Sequence, residues 1–589
     1  MTSDREGEIR RRVAAERARL EAAAGLEPAA PRHFRRPAER PFTRDERDRV
    51  TILFGGLTWK HEELLRAIFE AAGYRCDVLP APDAAACQIG REHGNVGQCN
   101  PTYFTVGALI QYLRRLESSG LSRQEICDRF VFFTAGTCGP CRFGMYEAEY
   151  RLALQNAGFR GFRVLLFQQD AGVKATTGEP GLKFTVDFGM GALNAFTLGD
   201  VLHQVVYCIR PYEKTPGRTD DAMREAVAGL AGVLRNRPSY EILDAAPRWL
   251  APVLPRSGAW HDVPTTLGKI REHLFGRVLF DAMAGAAATL DAVEIDRLRV
   301  KPVVKITGEF WAQTTESAGN FRMFEFLEAE GAEVLVDPIG SWVMYLLFQQ
   351  RLIADMRRGL DLPIEVGGRM LRARLGSELR YWRRRLLFAA GESFWAWQYH
   401  RIADALGGRV HRLPDQAELA RLAAPFYNPL ARGGEGHLEV AKTVYHTVHR
   451  HCHMVLSLKP FGCLPSTQSD GAQSAVVSRF KDLIFLPIET AGDGEVHARS
   501  RVQMALTDAK ARARREFEIS LAATGKRLED VRAYVAGHRE LSRALYRVPH
   551  YPGVVGGAAN FVRHVSDLMD RERHAGRALV GRKPLEQPS

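Results

Sequence analysis

Short, continuous apolar runs alternate with amphipathic stretches from about residue 50 onward. Runs of this kind are typical of parallel strands that are buried on both faces. They occur at Val50–Phe54, Cys76–Leu79, Phe130–Thr134 and Arg163–Phe167, and again at Val303–Ile306, Glu333–Val336, Val455–Leu458 and Leu483–Leu486. The intervals have helical periodicity. The pattern predicts an α/β fold with two flavodoxin-like, doubly wound parallel-sheet lobes and an additional helical portion.

The same pattern divides the chain into five parts. These are an N-terminal charged helix and linker (1–49), a first α/β lobe (50–219), a helical connection (220–300), a second α/β lobe with a helical insertion (301–515) and a C-terminal helical segment (516–589). Each lobe opens with a strand followed by Gly-x-x-Trp, at Gly56–Trp59 and at Gly308–Trp311. The repetition favours a diverged duplication, although two unrelated β–α–β units can also have this pattern of glycine and tryptophan after a strand.

Composition and charge exclude several classes of protein. Hydrophobic residues make up 46% of the 589 residues and charged residues 25%, as in ordinary globular proteins. The formal charge of +12 permits an anionic ligand such as a CoA thioester without requiring nucleic acid. No apolar run approaches the roughly 18 residues of a membrane span, and the N-terminus lacks the apolar stretch of a signal peptide. We therefore expect a cytoplasmic protein with no nucleic-acid or membrane partner.

Cysteines in loops carry the candidate chemistry. There are nine, an odd number in a long chain, which disfavours a disulfide framework and favours metal or redox chemistry. Four lie just before predicted helix starts: Cys99 in Gly97–Pro101, Cys138 and Cys141 in Gly136–Gly144, and Cys463 in Pro460–Ser466. The positive end of a helix favours thiolate, so we expect lowered thiol pKa values there. Loops at the carboxyl ends of parallel strands converge on a crevice, where these thiols can meet.

A Cys-x-x-Cys pair has other possible uses. Cys138 and Cys141 enclose Gly-Pro, which also fits a thioredoxin-like dithiol, but the residues that follow do not resemble thioredoxin. Structural zinc sites need four ligands, usually from two close pairs, and the chain has only one such pair. A zinc finger is therefore not expected, while a redox dithiol stays open.

Taken together, the cysteine motifs resemble those of the 2-hydroxyacyl-CoA dehydratase superfamily. The resemblance lies in Cys138–Tyr146, which reads Cys-Gly-Pro-Cys-Arg-Phe-Gly-Met-Tyr, together with Gly97–Pro101 and Lys459–Ser466. It is greatest for the dehydratase-component-like proteins of the branch related to CoA-substrate-specific activases. Val303–Phe310 also looks like the second lobe of that family, and the similarity spans roughly residues 50–515.

The resemblance implies an iron–sulfur cluster in the cleft between two flavodoxin-like lobes. By position its ligands would be Cys99, Cys141 and Cys463. Cys138 would either be a further ligand or not bind the cluster, because the family more commonly has a residue other than cysteine there. A 4Fe-4S cluster is expected, and a double-cubane cluster stays open because Cys87 lies in the same part of the sequence. The resemblance assigns no catalytic side chain.

The resemblance also implies a function. Such a protein accepts low-potential electrons from a separate ASKHA-type ATPase activator and reduces or dehydrates a CoA-thioester-like substrate, as a lyase or reductase. One electron added to the thioester carbonyl gives a ketyl radical, which eases the loss of a β-proton too weakly acidic for side-chain bases. The activator would be another chain, because the Gly-rich segment Gly433–Gly436 lacks the Lys-Ser/Thr ending of a P-loop.

Two other functions stay open at this point. The chain can be an electron-transfer or maturation component that holds a cluster but has no substrate, or a cluster-free thiol redox protein that uses Cys138 and Cys141. A homodimer and a heterodimer are both possible assemblies. Glu309 either contacts substrate or caps the following loop. The basic, aromatic stretch Arg369–Arg385 either binds CoA phosphates or an activator, or forms a solvated helix face.

Overall fold

The fold is taken from a computed structural model, which describes residues 2–24, 39–136, 141–168, 181–242, 257–360, 369–431, 433–492 and 494–580. Within these ranges, no helix has the length and apolarity needed to cross a bilayer. The chain forms two compact units, Met1–Glu39 and Arg40–Ser589. The first contains helix α1 (Thr2–Ala23), and the second contains both sheets.

The first lobe is built from four strands and the helices between them. Its strands are β1 (Thr51–Phe54), β2 (Arg75–Val78), β3 (Phe130–Gly136) and β4 (Arg163–Gln168). Its helices are α2 (Trp59–Ala71), α3 (Ala84–His93), α4 (Asn100–Ser118), α5 (Arg123–Arg129), α6 (Tyr146–Asn156) and α7 (Val186–Ile209). The helical connection follows, with α8 (Arg218–Arg235), α9 (Ala259–Phe275) and α10 (Arg277–Asp291).

The second lobe repeats the alternation of strands and helices. Its strands are β5 (Val303–Gly308), β6 (Glu333–Leu335), β7 (Met454–Pro460) and β8 (Phe485–Thr490). Its helices are α11 (Phe310–Thr314), α12 (Met323–Ala329), α13 (Ile339–Arg357), α14 (Arg369–Ala405), α15 (Gln416–Ala423), α16 (Gly436–Val448) and α17 (Leu464–Arg479). Three more helices close the chain: α18 (Glu495–Thr524), α19 (Leu528–Gly537) and α20 (Gly557–Val580).

The two sheets have the same topology. Both are four-stranded and all neighbours are parallel, in the orders β2-β1-β3-β4 and β6-β5-β7-β8. Buried residues fill every position of β5 and β7, as expected for strands covered by helices on both faces. The predicted fold class, α/β with two doubly wound lobes and a helical portion, is confirmed. The shared strand order is also what a duplication predicts.

Helix α7 joins the two lobes. Most of its residues from Gly191 to Ile209 are buried, and it contacts α2 of the first lobe and β6, α13 and α14 of the second. A helix that is apolar on all sides belongs inside a core. One hydrophobic core accordingly runs through both lobes and includes Ile52, Leu202 and Ile306.

Buried polar contacts fix the two lobes against each other. Asp200 of α7 accepts hydrogen bonds from the backbone N–H groups of Ile339 and Gly340, at 2.6 and 2.8 Å, where α13 begins. Its carboxylate also lies 3.1 Å from Nε2 of His61. Lys60 of α2 is paired with Glu316 of the second lobe at 3.0 Å. These buried contacts therefore hold the two lobes in one relative position.

Candidate cysteine site between the lobes

Cys99 lies where the two lobes meet, as the residue that precedes α4. Pro101 occupies the first turn of that helix, where a missing N–H costs nothing. The thiol is buried, and its Sγ lies 3.2 Å from Oη of Tyr146 and 3.3 Å from Oγ1 of Thr102. Two hydroxyl groups are thus placed to donate to this sulfur.

Cys463 approaches the same place from the second lobe. It precedes α17, which also has a proline in its first turn, and its thiol is buried. The two loops touch, because the backbone N–H of Asn100 donates to the carbonyl of Phe461 at 3.1 Å. Gly462 has a φ of +76°, and a Cβ at that position would lie 3.4 Å from Cα of Cys99. A glycine there permits the left-handed backbone and leaves space for the close approach of the first lobe.

Cys141 forms the third side of the crevice. It lies after β3, immediately before a short 3₁₀ helix at Arg142–Met145, and is half-buried. A Cβ built on Gly434, whose φ is +80°, would lie 3.5 Å from Cβ of Cys141 and 2.4 Å from Cγ of Pro465. The Gly434 loop therefore lies between Cys141 and the first turn of α17. Cys138 lies outside the described residues.

Glu309 faces all three thiols. It follows β5, and its carboxylate accepts a hydrogen bond from the N–H of Ala312 at 2.9 Å, so it does cap the helix that follows. The negative charge of this carboxylate acts on the thiols of Cys99, Cys141 and Cys463 alike. One carboxyl group close to three thiols from three loops shows that those loops converge.

Two further carboxyl groups line the crevice. Glu435 is buried at the start of α16, and burial together with the charges of Glu309 and Glu439 raises its pKa. Burial also raises the pKa of Glu309, to which Glu439 contributes as well. Glu439 accepts hydrogen bonds from the hydroxyls of Ser466, at 2.6 Å, and Ser469. Burial thus shifts Glu309 and Glu435 toward the protonated, uncharged form, compared with carboxyl groups in solvent.

The predicted lowering of the thiol pKa values is wrong for the described cysteines of the site. Burial raises the pKa of Cys99, Cys141 and Cys463, and Glu309 adds to the effect at each of them. Hydrogen bonds from Thr102 and Tyr146 oppose the shift at Cys99 without reversing it. Desolvation outweighs the partial charge of a helix end because it acts on the whole thiolate charge.

The other described cysteines do not belong to these three loops. Cys87 packs in a small apolar cluster with Phe104 and Trp311. The remaining cysteines lie on other elements, namely Cys76 on β2, Cys127 on α5, Cys208 at the end of α7 and Cys452 before β7. The three loops that the family resemblance selected are thus brought together, while Cys87 lies in an apolar environment beside them.

The donor set fits a cluster better than a single ion. Among the described residues, no group of three or more His, Cys, Asp or Glu side chains is arranged to hold one metal ion. In a multi-iron cluster each thiolate binds a separate iron, so the ligands need not enclose one ion. Thiolate is also the donor that iron–sulfur clusters select. Cys99, Cys141 and Cys463 fit such a cluster by donor type and by their common crevice.

Several residues of the crevice were not predicted from the sequence to be functional. Tyr146 was noted only as part of a motif, although it reaches Cys99 from a helix 47 positions away. Glu435 lies inside the Gly433–Gly436 segment, which was considered only as a phosphate loop. The sequence signal that could have identified Glu435 is a carboxylate flanked by glycines at the start of a helix. Nothing in the sequence indicated that Glu439 would meet Ser466 and Ser469.

The fold and the site define a class of protein: a two-lobed α/β protein whose strand ends enclose a buried crevice of thiols and carboxyl groups. No protein-family model matches the chain, and no curated protein is significantly similar to it. The function is therefore argued from the crevice.

Proposed function

We propose that this chain is an iron–sulfur protein of the 2-hydroxyacyl-CoA dehydratase type, which takes low-potential electrons from a separate ATP-hydrolysing activator and reduces or dehydrates a CoA-thioester-like substrate. The observation that carries the proposal is that the loops of Cys99, Cys141 and Cys463 meet. The N–H of Asn100 donates to the carbonyl of Phe461 at 3.1 Å. A Cβ on Gly462 would lie 3.4 Å from Cα of Cys99, and one on Gly434 would lie 3.5 Å from Cβ of Cys141. Burial of these thiols favours a resident group over a dithiol exposed to solvent.

Cys99, Cys141 and Cys463 would hold the cluster, with Cys138 as the fourth candidate. The hydroxyls of Tyr146 and Thr102 would donate to the sulfur of Cys99 and tune the reduction potential. Because burial keeps the thiols protonated in the free protein, loading iron must release protons. Loading is therefore expected to be faster at higher pH.

The carboxyl groups have a role in the same chemistry. A bound cluster supplies the single electron that makes the β-proton of a 2-hydroxyacyl thioester removable. Elimination of water also needs a proton for the departing hydroxyl group. Burial and two neighbouring carboxyl groups raise the pKa of Glu435, which favours its protonated form, and its charge acts on Cys141. We assign Glu435 the role of proton donor within this proposal.

Cysteine substitutions test the cluster. Anaerobically purified or reconstituted protein is expected to be brown and to contain iron and acid-labile sulfide. The variants Cys99→Ser, Cys141→Ser and Cys463→Ser should each lose most of this iron, because each removes a thiolate ligand. Cys127→Ser and Cys208→Ser are matched controls, since both remove a thiol away from the crevice, and they should keep it. Iron-free wild-type protein, or equal loss in the controls, would refute the cluster.

Substrate turnover needs a separate measurement. EPR spectra of the reduced, iron-loaded protein are expected to change when an acyl-CoA thioester is added, and the change should be lost in the three crevice variants. Unchanged spectra across a broad panel of thioesters would instead support an electron-transfer or maturation component. If iron is absent and Cys138 and Cys141 form a reversible disulfide, the thiol redox protein is the correct reading.

A further inference from the structure

Helix α14 carries a row of large apolar side chains that face solvent. Leu375, Leu379, Trp382 and Leu386 are 62%, 71%, 45% and 62% exposed. Farther along the same helix Leu387, Phe394 and Trp397 are also exposed. Isolated exposed leucines are ordinary, but a continuous row of this size marks an interaction surface.

The spacing of these residues places them on one face. Steps of four, three and four positions from Leu375 to Leu386 keep the side chains in line along a helix. The side of α14 that packs against α13 carries Tyr381, Arg385 and Glu392, about a quarter of a turn away from the row. From Leu375 to Trp397 the row extends about 33 Å at 1.5 Å per residue.

The exposed charges of this part of α14 that have no ion pair with another described residue are all positive. Arg374, Arg380, Arg383 and Arg384 are exposed, and none of them has an ion pair with another described residue. The three acidic residues of the helix are already paired with arginines. Glu378 pairs with Arg358 at 2.9 Å, Glu392 with Arg351 at 2.8 Å and Asp404 with Arg547 at 3.1 Å. The outward surface is thus apolar and cationic, rather than the solvated face that the sequence analysis left open.

Helix α9 extends this surface sideways. The rings of Phe275 and Trp397 lie 5.7 Å apart, which connects the end of α9 to α14. On α9 itself, Trp260, Val263 and Leu267 are more than half exposed. We call the exposed apolar residues of α9 and α14, together with Arg374, Arg380, Arg383 and Arg384, the α14 face.

We propose that the α14 face binds an anionic lipid surface. Exposed Trp, Leu and Phe side chains together with arginines that have no ion pair are the composition of helices that lie in the interface of negatively charged bilayers. On α9 one exposed acidic residue, Asp262, lies among the apolar side chains and is hydrogen-bonded to His261 at 3.0 Å. A second copy of the chain suits the face poorly, because pairing would bring the arginines of both copies together. Within the described ranges no helix is long and apolar enough to span a bilayer, and that finding does not bear on a peripheral contact.

Vesicle co-sedimentation tests the proposal with the full-length protein. Vesicles of phosphatidylglycerol and phosphatidylcholine should bind it, pure phosphatidylcholine vesicles should bind it at least about tenfold more weakly, and added salt should weaken binding. The double variant Leu379→Glu/Leu386→Glu should abolish binding. Arg383→Glu/Arg384→Glu should weaken it by about tenfold or more, since each arginine near such a surface contributes about fivefold.

Control variants separate this surface from general charge effects. Val496→Glu/Met504→Glu adds the same charge at exposed apolar positions of α18, and Arg514→Glu/Arg515→Glu reverses two neighbouring exposed arginines of that helix. Both should leave vesicle binding within about twofold of wild type. Absence of binding to anionic vesicles, or equal loss in the controls, would overturn the proposal. A dimer broken by Leu379→Glu without vesicle binding would identify an interface between copies, and binding to an acidic protein alone would also overturn it.

Discussion

At the scale of single residues, the burial of Glu62 makes the stability of the protein depend on pH. Its Oε1 accepts hydrogen bonds from the N–H groups of Gly56 and Leu57, at 2.9 and 3.0 Å, where the first strand turns into α2. Burial raises its pKa from 4.5 to about 8, and the two hydrogen bonds only partly oppose this. The contribution of the protonated carboxyl group to stability is complete below pH 4.5 and is lost as the pH rises through 8.

The variant Glu62→Gln should remove this pH dependence, because the amide oxygen still accepts both hydrogen bonds and carries no charge. Between pH 6 and pH 9 the free energy of unfolding of the wild type is expected to fall by roughly 2–3 kcal/mol relative to the variant. Urea unfolding of both proteins at the two pH values measures the difference. Parallel stability profiles across this range would contradict the assigned shift.

At the scale of elements, two glycines let α3 and α4 cross in contact. A Cβ on Gly107 would lie 1.7 Å from the carbonyl oxygen of Ala86, and one on Gly90 would lie 1.9 Å from that of Tyr103. No side chain fits between backbones at this distance. The crossing fixes α4 and therefore positions Cys99 at its start.

The variant Gly107→Ala should force the two helices apart. We expect a loss of about 3 kcal/mol or more in stability from overpacking, together with reduced iron content because the start of α4 moves. Thermal unfolding and iron analysis measure the two effects. Gly229→Ala is the matched control: no atom lies within 4 Å of its Cβ position on α8, so it should stabilise by about 0.5–1 kcal/mol. A tolerated Gly107→Ala would show that the crossing is adaptable.

At the scale of the whole molecule, the lobes depend on one another. The hydrophobic core is continuous through α7, and Asp200 bonds the start of α13 from that helix. A lobe separated from the other would expose α7 on one side. The crevice geometry therefore depends on the same core that holds the fold.

Truncation of a side chain in α7 tests this dependence. Leu202 is fully buried, so Leu202→Ala should lower the free energy of unfolding by about 2–5 kcal/mol. Calorimetry should still show a single transition, shifted to lower temperature, because both lobes lose the same support. Val96→Ala, at a position 98% exposed, should change stability by no more than about 0.5 kcal/mol. Separate transitions for the two lobes would contradict a shared core.

The local pattern of apolar residues was sufficient to predict the architecture. Continuous apolar runs predicted all eight strands within a few residues of their bounds, because a strand buried on both faces must be apolar throughout. The strand at Phe485–Thr490 begins two positions later than predicted, since the residues before it also are apolar. The loops of Cys99, Cys141 and Cys463 were found from helix-start signals, which are likewise local.

The sequence by itself determined the fold class, the approximate positions of the strands and the positions of the cysteine loops, because each depends on neighbours along the chain. Only the tertiary structure decided the electrostatics of the crevice. The raised pKa values of the thiols and of Glu435 arise from burial and from carboxyl groups that other loops deliver. Desolvation and Coulomb energy depend on distance in space, which separation in sequence does not give.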